Sequence, residues 1–318
     1  MSITERIFGK TALGEDVNTL GEDVNKRGED VKIFTMLNCN GTKVEIMELG
    51  ATIVSMTVPN KMGKLADLVL GYDTVEKYEK QPFYMGAILG RGLSKKIWKS
   101  TVNSLNGIEW VEMTCKSADM EDGIPGNLEV SISYYLMDNN SLEIEYFAIS
   151  DKDTNLSLTS HPYFNLKGHG EGDILGHELQ IFCNSYTENN NEGLPNGKII
   201  RVVGTPMDFR EKRAIGQEYD DNWVLPEGNG SLTKCAVLSE ESSGRSLEVQ
   251  TTLPGIQLYT GNNLDDEIIG KNGVKYGKNS GLCLDAQFFP NSMKHKNFPS
   301  IELRAFEKYR HKTVYRFR

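Results

Sequence analysis

From residue 31 onward, apolar and polar positions alternate along the chain in short runs. KVEIMEL, TIVSMTV, LEVSISYYL, SLEIEYFAI, ELQIFC, IIRVV, SLEVQTTL and IQLYTG either follow this period of two or are rich in Val, Ile, Tyr and Thr. Successive side chains of a strand point to opposite faces, so such runs predict strands with one face on a core. The run VKIFTML reads as the first strand. Asn40-Gly41, Asn106-Gly107, Asp122-Gly123, Pro125-Gly126 and Pro254-Gly255 supply turn signals between the runs. No amphipathic helix of about twelve residues stands out. The pattern predicts an all-β protein, a large antiparallel β-sandwich, with residues 1–318 as a single domain.

Ahead of the strands, residues 14–31 read GEDVNTLGEDVNKRGEDV, with Gly-Glu-Asp-Val beginning at positions 14, 21 and 28. A heptad suggests a coiled coil. Each unit, however, offers essentially one apolar residue and carries a glycine, which weakens a helix by ~1 kcal/mol. A solvent-exposed N-terminal insertion, made by local duplication, is the expectation.

At 318 residues, with 38% hydrophobic content and a mean hydropathy of −0.42, the chain has the composition of an ordinary soluble protein. Its 35 basic and 44 acidic residues give −9, which argues against nucleic acid or an anionic membrane as partner. No stretch approaches the ~20 apolar residues of a membrane span, and the N-terminus lacks the ~7–15-residue apolar run of a signal peptide. Five scattered cysteines without CxxC spacing predict reduced thiols, no zinc site and a cytoplasmic location.

The chemistry concentrates in Leu158–His177, LTSHPYFNLKGHGEGDILGH. It combines an imidazole for proton transfer, aromatic surface suited to a sugar ring, and an amide. His161, His169 and His177 recur every eight residues, wider than the His-x-x-x-His pairs of zinc helices. The glycines lack dinucleotide-binding spacing, and neither a phosphate-binding loop nor a nucleophile elbow is present. No cofactor is predicted.

ELGATIVSMTVPNKMGKLADLVLGYDTVEKY, FYMGAILGR, GIPGNLEVSISYYL, LTSHPYFNLKGHGEGDILGHELQIF, GLPNGKIIRVVGTPMDFR, YDDNWVL, LPGIQLYTGN, GLCLDAQFFPNS and FPSIELRAFEKYRHKTVYRF follow one another in this order. Through them the chain resembles the aldose 1-epimerase (galactose mutarotase) family over nearly its whole length. The resemblance implies a many-stranded β-sandwich that interconverts α and β anomers of free aldohexoses such as galactose and glucose. That reaction needs two proton transfers, one from the anomeric hydroxyl to a base and one from an acid to the ring oxygen.

By the same resemblance, His161 takes the place of the family's acid, with Ser160 and Pro162 where the family has Asn and Ser. An imidazole with an ordinary pKa of ~6.5 can give and take a proton near neutrality. Asp285 stands where the family has a glutamate base. It is one methylene shorter, which draws the carboxylate back by about 1.5 Å. Asp220 matches the aspartate of an Asp-His pair that holds sugar hydroxyls, and Asp221 stands in the histidine's place. Gln257 and Tyr163 match pocket residues, an amide for hydroxyls and an aromatic face for C–H groups. Each also suits a packed strand residue, and Asp220–Asp221 a solvated acidic pair.

After Arg91 the family's segment with Asn-Arg, a hairpin and a second pocket histidine has no counterpart here. Its loss is expected to leave strand edges unpaired and to weaken sugar binding, since hydrogen bonds to charged groups contribute ~1.5–3 kcal/mol each. The expected partner is a small monosaccharide, bound by a monomer or weak dimer. A catalytically weak or inactive sugar-binding or regulatory homologue is the alternative. A glycosidase using Asp220 and Asp285 is the third possibility.

Overall fold

The computed structural model describes residues 1–12, 28–226 and 230–318. Strands dominate, in antiparallel sheets. Leu128–Leu136 shows why: Leu128, Val130, Ile132, Tyr134 and Leu136 are buried, while the alternate positions are exposed or half-buried. It lies in a nine-stranded sheet whose order is Arg213–Ala214, Glu178–Ile181, Thr233–Ser239, Ser246–Thr251, Lys308–Phe317, Ser141–Ser150, Leu128–Leu136, Ile108–Ser117 and Lys99–Leu105. The hairpin joining the last two turns at Asn106-Gly107, both with positive φ (52° and 80°), as a two-residue turn matched to strand twist requires.

A five-stranded sheet is made of Ser2–Lys10, Asp30–Leu37, Lys43–Met47, Thr52–Pro59 and Leu65–Asp67 in sequence order. VKIFTML is therefore the second strand, not the first. Ser2–Lys10 pairs with it, from Ser2 opposite Leu37 to Lys10 opposite Asp30. Polar residues make most of that leading strand, so alternation alone gives little sign of it. The first two Gly-Glu-Asp-Val copies fall in 13–27, outside the described residues. The third ends as the beginning of the strand Asp30–Leu37.

A second five-stranded sheet carries the candidate site. Its order is Pro195–Arg201, Ser185–Asn189, Asp220–Val224, Gly255–Tyr259 and Cys283–Gln287. One apolar core joins the sheets, with Phe34, Met56, Trp98, Ile144, Phe164, Trp223, Val249, Leu284 and Phe317 at most 1% exposed. Burial of each such side chain contributes about 1.5–3 kcal/mol. The described α-helix is short, Val75–Lys80, capped at its start by Thr74. At its end, the Nζ of Lys95 donates to the carbonyls of Tyr78, Glu79 and Gln81 (2.7, 2.9 and 3.0 Å).

Lys95 belongs to the stretch just after Arg91, where the resemblance leaves a family segment without a counterpart. There the chain turns through Arg91 and Gly92, both with positive φ, into a 3-10 turn at Leu93–Lys95. It then runs past the first sheet, Trp98 N–H donating to Glu48 O, and enters Lys99–Leu105. That strand ends the nine-stranded sheet, with Val102 and Leu105 exposed.

Candidate active site

Register builds the site. In the second five-stranded sheet Asn222 lies opposite Gln257, and Gln257 opposite Asp285. One step along, Asp220 lies opposite Tyr259, and Tyr259 opposite Cys283. Directly paired residues share a face, as do residues two apart on one strand. All six side chains therefore stand on one face.

His161 is delivered over that face by a separate pairing. It follows Thr159–Ser160, which pairs with Ile88–Leu89. Its N–H donates to Ala87 O (3.0 Å), and its carbonyl accepts from Gly86 N–H (2.8 Å). Gly86 has φ of 76°, and a Cβ there would lie 2.0 Å from Ile53 O, so only glycine fits. Pro162 lacks an N–H and holds the preceding residue extended, consistent with this two-sided pairing.

The outcome is a direct contact. His161 Nδ1 and Asp285 Oδ2 are 2.6 Å apart, with side chains 13% and 6% exposed. Asp285 Oδ1 is buried without a hydrogen-bond partner among the described residues, as is Gln257 Oε1. Gln257 Nε2 donates to Asp220 Oδ1 at 2.7 Å. Burial raises the carboxyl of Asp220 above the usual range, against the opposing hydrogen bond from Gln257. Asp221, raised by burial too, accepts from Asn189 Nδ2 (3.1 Å). The structure thus links His161 to Asp285 and Asp220 to Gln257, on neighbouring strands.

Tyr163 takes the packed one of the two roles that the sequence left open. It is 2% exposed, its ring edge-on to His161 at 4.9 Å between centroids, and burial drives its hydroxyl far above the ordinary range. A ring so covered offers little face to a sugar; it backs the imidazole instead. Arg91 is engaged within the protein. Its guanidinium donates to Ser117 Oγ, Thr154 Oγ1 and the carbonyls of Pro125, Ala118, Ile124 and Gly126, all within 3.3 Å. Of the other two histidines in that segment, His169 Nδ1 meets Tyr276 OH at 2.9 Å, and His177 Nε2 accepts Leu166 N–H at 3.0 Å.

Sequence reasoning missed Tyr259, Cys283 and Asn222. Tyr259 stacks near-parallel to His161 at 6.4 Å and is 8% exposed. Cys283 Sγ lies 3.9 Å from His161 Nε2, its thiol pushed well above the usual range by burial. Asn222 is 1% exposed, both amide atoms unpartnered among the described residues. The signal was the alternation itself: each is two positions from a residue already singled out.

The family profile described as Aldose 1-epimerase matches residues 32–93 and 92–316, two stretches that meet at the seam after Arg91. Galactose mutarotase from Bos taurus is 34% identical over 356 aligned positions, covering 100% of this chain and 99% of that protein. The Mus musculus galactose mutarotase is 36% identical over 88% of this chain and 92% of its own length. Aldose 1-epimerase of Haemophilus influenzae is 32% identical over 90% and 96%. The crystal structure of the GalM/aldose epimerase homologue from C. elegans superposes with a TM-score of 0.82 at 27% identity, covering 89% of this chain and 98% of that one. Galactose 1-epimerase from Lactobacillus acidophilus, at 23% identity and a TM-score of 0.82, shares the fold over 100% and 98%. With the profile running through nearly all of its length and these relatives covered almost end to end, the chain belongs to the aldose 1-epimerase family.

Proposed function

We propose that the protein is an aldose 1-epimerase, interconverting the α and β anomers of free aldohexoses such as galactose and glucose, with Asp285 as base and His161 as acid. O1 and O5 of a pyranose are bonded to the same carbon. The group that takes a proton from one and the group that gives a proton to the other must therefore be near neighbours. The 2.6 Å contact between His161 Nδ1 and Asp285 Oδ2 is the observation that carries this reading.

The Asp285 carboxylate removes the O1 proton while the His161 imidazolium protonates O5. The ring opens to the aldehyde, C1 turns, and reclosure on the other face returns both protons. Asp285 Oδ1, buried and unpartnered among the described residues, suits the hydroxyl at O1. Gln257 and Asp220 serve the remaining hydroxyls; Tyr163 and Tyr259 hold the imidazole in place. The direct contact also answers the shorter aspartate, because the carboxylate still reaches its partner.

Polarimetry of α-D-galactose tests the reading. Purified protein is expected to accelerate mutarotation over buffer, and His161→Ala and Asp285→Asn to return the rate towards buffer. A wild-type rate equal to buffer, or variants indistinguishable from wild type, rejects it. An inactive sugar-binding homologue draws on Asp285 in place of glutamate and on the missing segment, and the relatives lend it no support.

A further inference from the structure

We infer that His161, Cys283 and Asp285 form a binding site for a thiophilic divalent cation such as Zn2+, which blocks the sugar site when occupied. The inhibition, though not the binding, rests on the proposed function. Cys283 and Asp285 are two apart on one strand, so both side chains leave the same face, and His161 lies over them. One ligand atom from each falls within 4.8 Å of the other two. An imidazole nitrogen, a thiolate and a carboxylate make a familiar zinc donor set, with the fourth tetrahedral position left for solvent.

The distances are near what coordination needs. Zn–S of ~2.3 Å and Zn–N or Zn–O of ~2.0–2.2 Å place ligand atoms roughly 3.3–3.6 Å apart in a tetrahedron. The 2.6 Å contact to the carboxylate is made by Nδ1 and the 3.9 Å contact to the sulfur by Nε2, so whichever nitrogen takes the ion, side-chain rotation must bring the donor on the other side round, starting from donor atoms that all lie within 4.8 Å of one another. A single ion uses one imidazole nitrogen, and the second stays free to hydrogen-bond. Asp285 Oδ1, the atom proposed to meet the hydroxyl at O1, is open to an ion as well. It belongs to a residue only 4% exposed and is unpartnered among the described residues, so the carboxylate keeps an acceptor that the protein itself does not satisfy.

Binding releases the Cys283 thiol proton to solvent and leaves a neutral imidazole, a thiolate and a carboxylate around the ion. The two groups proposed to move protons then have their lone pairs on the metal. The site is invisible in the sequence because its histidine lies 124 residues from its aspartate, and no CxxC or His-x-x-x-His spacing announces it.

Titration of the full chain with Co2+, followed in the near ultraviolet, and with Zn2+ against a chromogenic chelator tests the inference. Wild type is expected to bind one equivalent and to show thiolate-to-cobalt charge-transfer absorption. Cys283→Ala should abolish that absorption, and Asp285→Asn should weaken Zn2+ binding by at least about 10-fold. Thermal melts establish that both variants are folded, and Asp285→Asn keeps the test decisive if Cys283→Ala is not. Zn2+ should inhibit mutarotation competitively with galactose, with EDTA restoring the rate. Absence of the band, or its persistence in Cys283→Ala, overturns the site. A band together with zinc-insensitive mutarotation overturns the inhibition. A band in a protein with no mutarotase activity upholds the site while rejecting the enzymatic reading.

Discussion

The strand pair Gly255–Tyr259 and Cys283–Gln287 and the seam around Arg91 both bury polar groups, and they treat them in opposite ways. At the seam, Arg91 is 7% exposed and its guanidinium finds six acceptors, two hydroxyls and four carbonyls. On the strand pair, Gln257 Oε1 and Asp285 Oδ1 are buried and unpartnered among the described residues. Buried polar groups are normally satisfied, because an unmade hydrogen bond costs about 1–3 kcal/mol. A satisfied group holds the fold; on the proposed reading, the orphaned ones beside the imidazole meet the sugar. The comparison separates Arg91 from the site although its sequence context alone does not.

The largest effect expected from breaking this contrast is at the orphaned end. Asp285→Asn should lower kcat by about 10²–10⁴-fold, the usual worth of a positioned proton-transfer group, with little change in melting temperature. Arg91→Met should do the reverse. Leaving several buried acceptors unpaired should destabilise the fold by on the order of 3 kcal/mol, with kcat of the folded fraction kept. Urea unfolding alongside polarimetry measures both, and a loss of kcat in Arg91→Met with unchanged stability would erase the distinction.

Another buried group, partnered at Nε2 and unpartnered at Nδ1 among the described residues, sharpens it by pH. Burial lowers His177 to about 4, and its Nε2 accepts Leu166 N–H, which only the neutral ring can do. The folded value is below the unfolded ~6.5. Above pH ~6.5 both states are neutral and the group contributes nothing to the pH dependence. As pH falls from there to about 4, the unfolded chain gains a proton that the folded one refuses, so stability falls by about 1.4 kcal/mol per pH unit. Urea midpoints between those limits should drop, and less so in His177→Gln. A flat profile, or an equal drop in the variant, contradicts the assignment. The smallest effect is expected at Gln257→Ala: KM for galactose up by about 5-fold with kcat much less affected, since a neutral hydrogen-bonding group is worth about 1 kcal/mol. A fall in kcat with KM unchanged would move Gln257 from binding to the proton transfers.

Much of the fold was legible because alternation writes a half-buried strand directly into the chain, as at Leu128–Leu136 and Ser141–Ser150. Ser2–Lys10 was not, since Ser2, Thr4, Arg6 and Lys10 give it little apolar period and its place is set by pairing with the next strand. Of the site, the resemblance supplied His161, Asp285, Asp220 and Gln257 by position. It could not supply their contacts, which depend on the register that sets Gln257 opposite Asp285 and on a histidine brought in from another pairing. For Tyr163 the sequence left a pocket role and a packed one open, because it shows an aromatic ring but not which way the ring is covered.

The central claim is that His161 and Asp285 act as one proton-transferring unit. A double-mutant cycle on the mutarotation rate of α-D-galactose tests it most directly. Groups that work together lose their effect once, so the His161→Ala, Asp285→Asn double variant should be no slower than the slower single variant. Losses that multiply, or single variants that keep the wild-type rate, would contradict it.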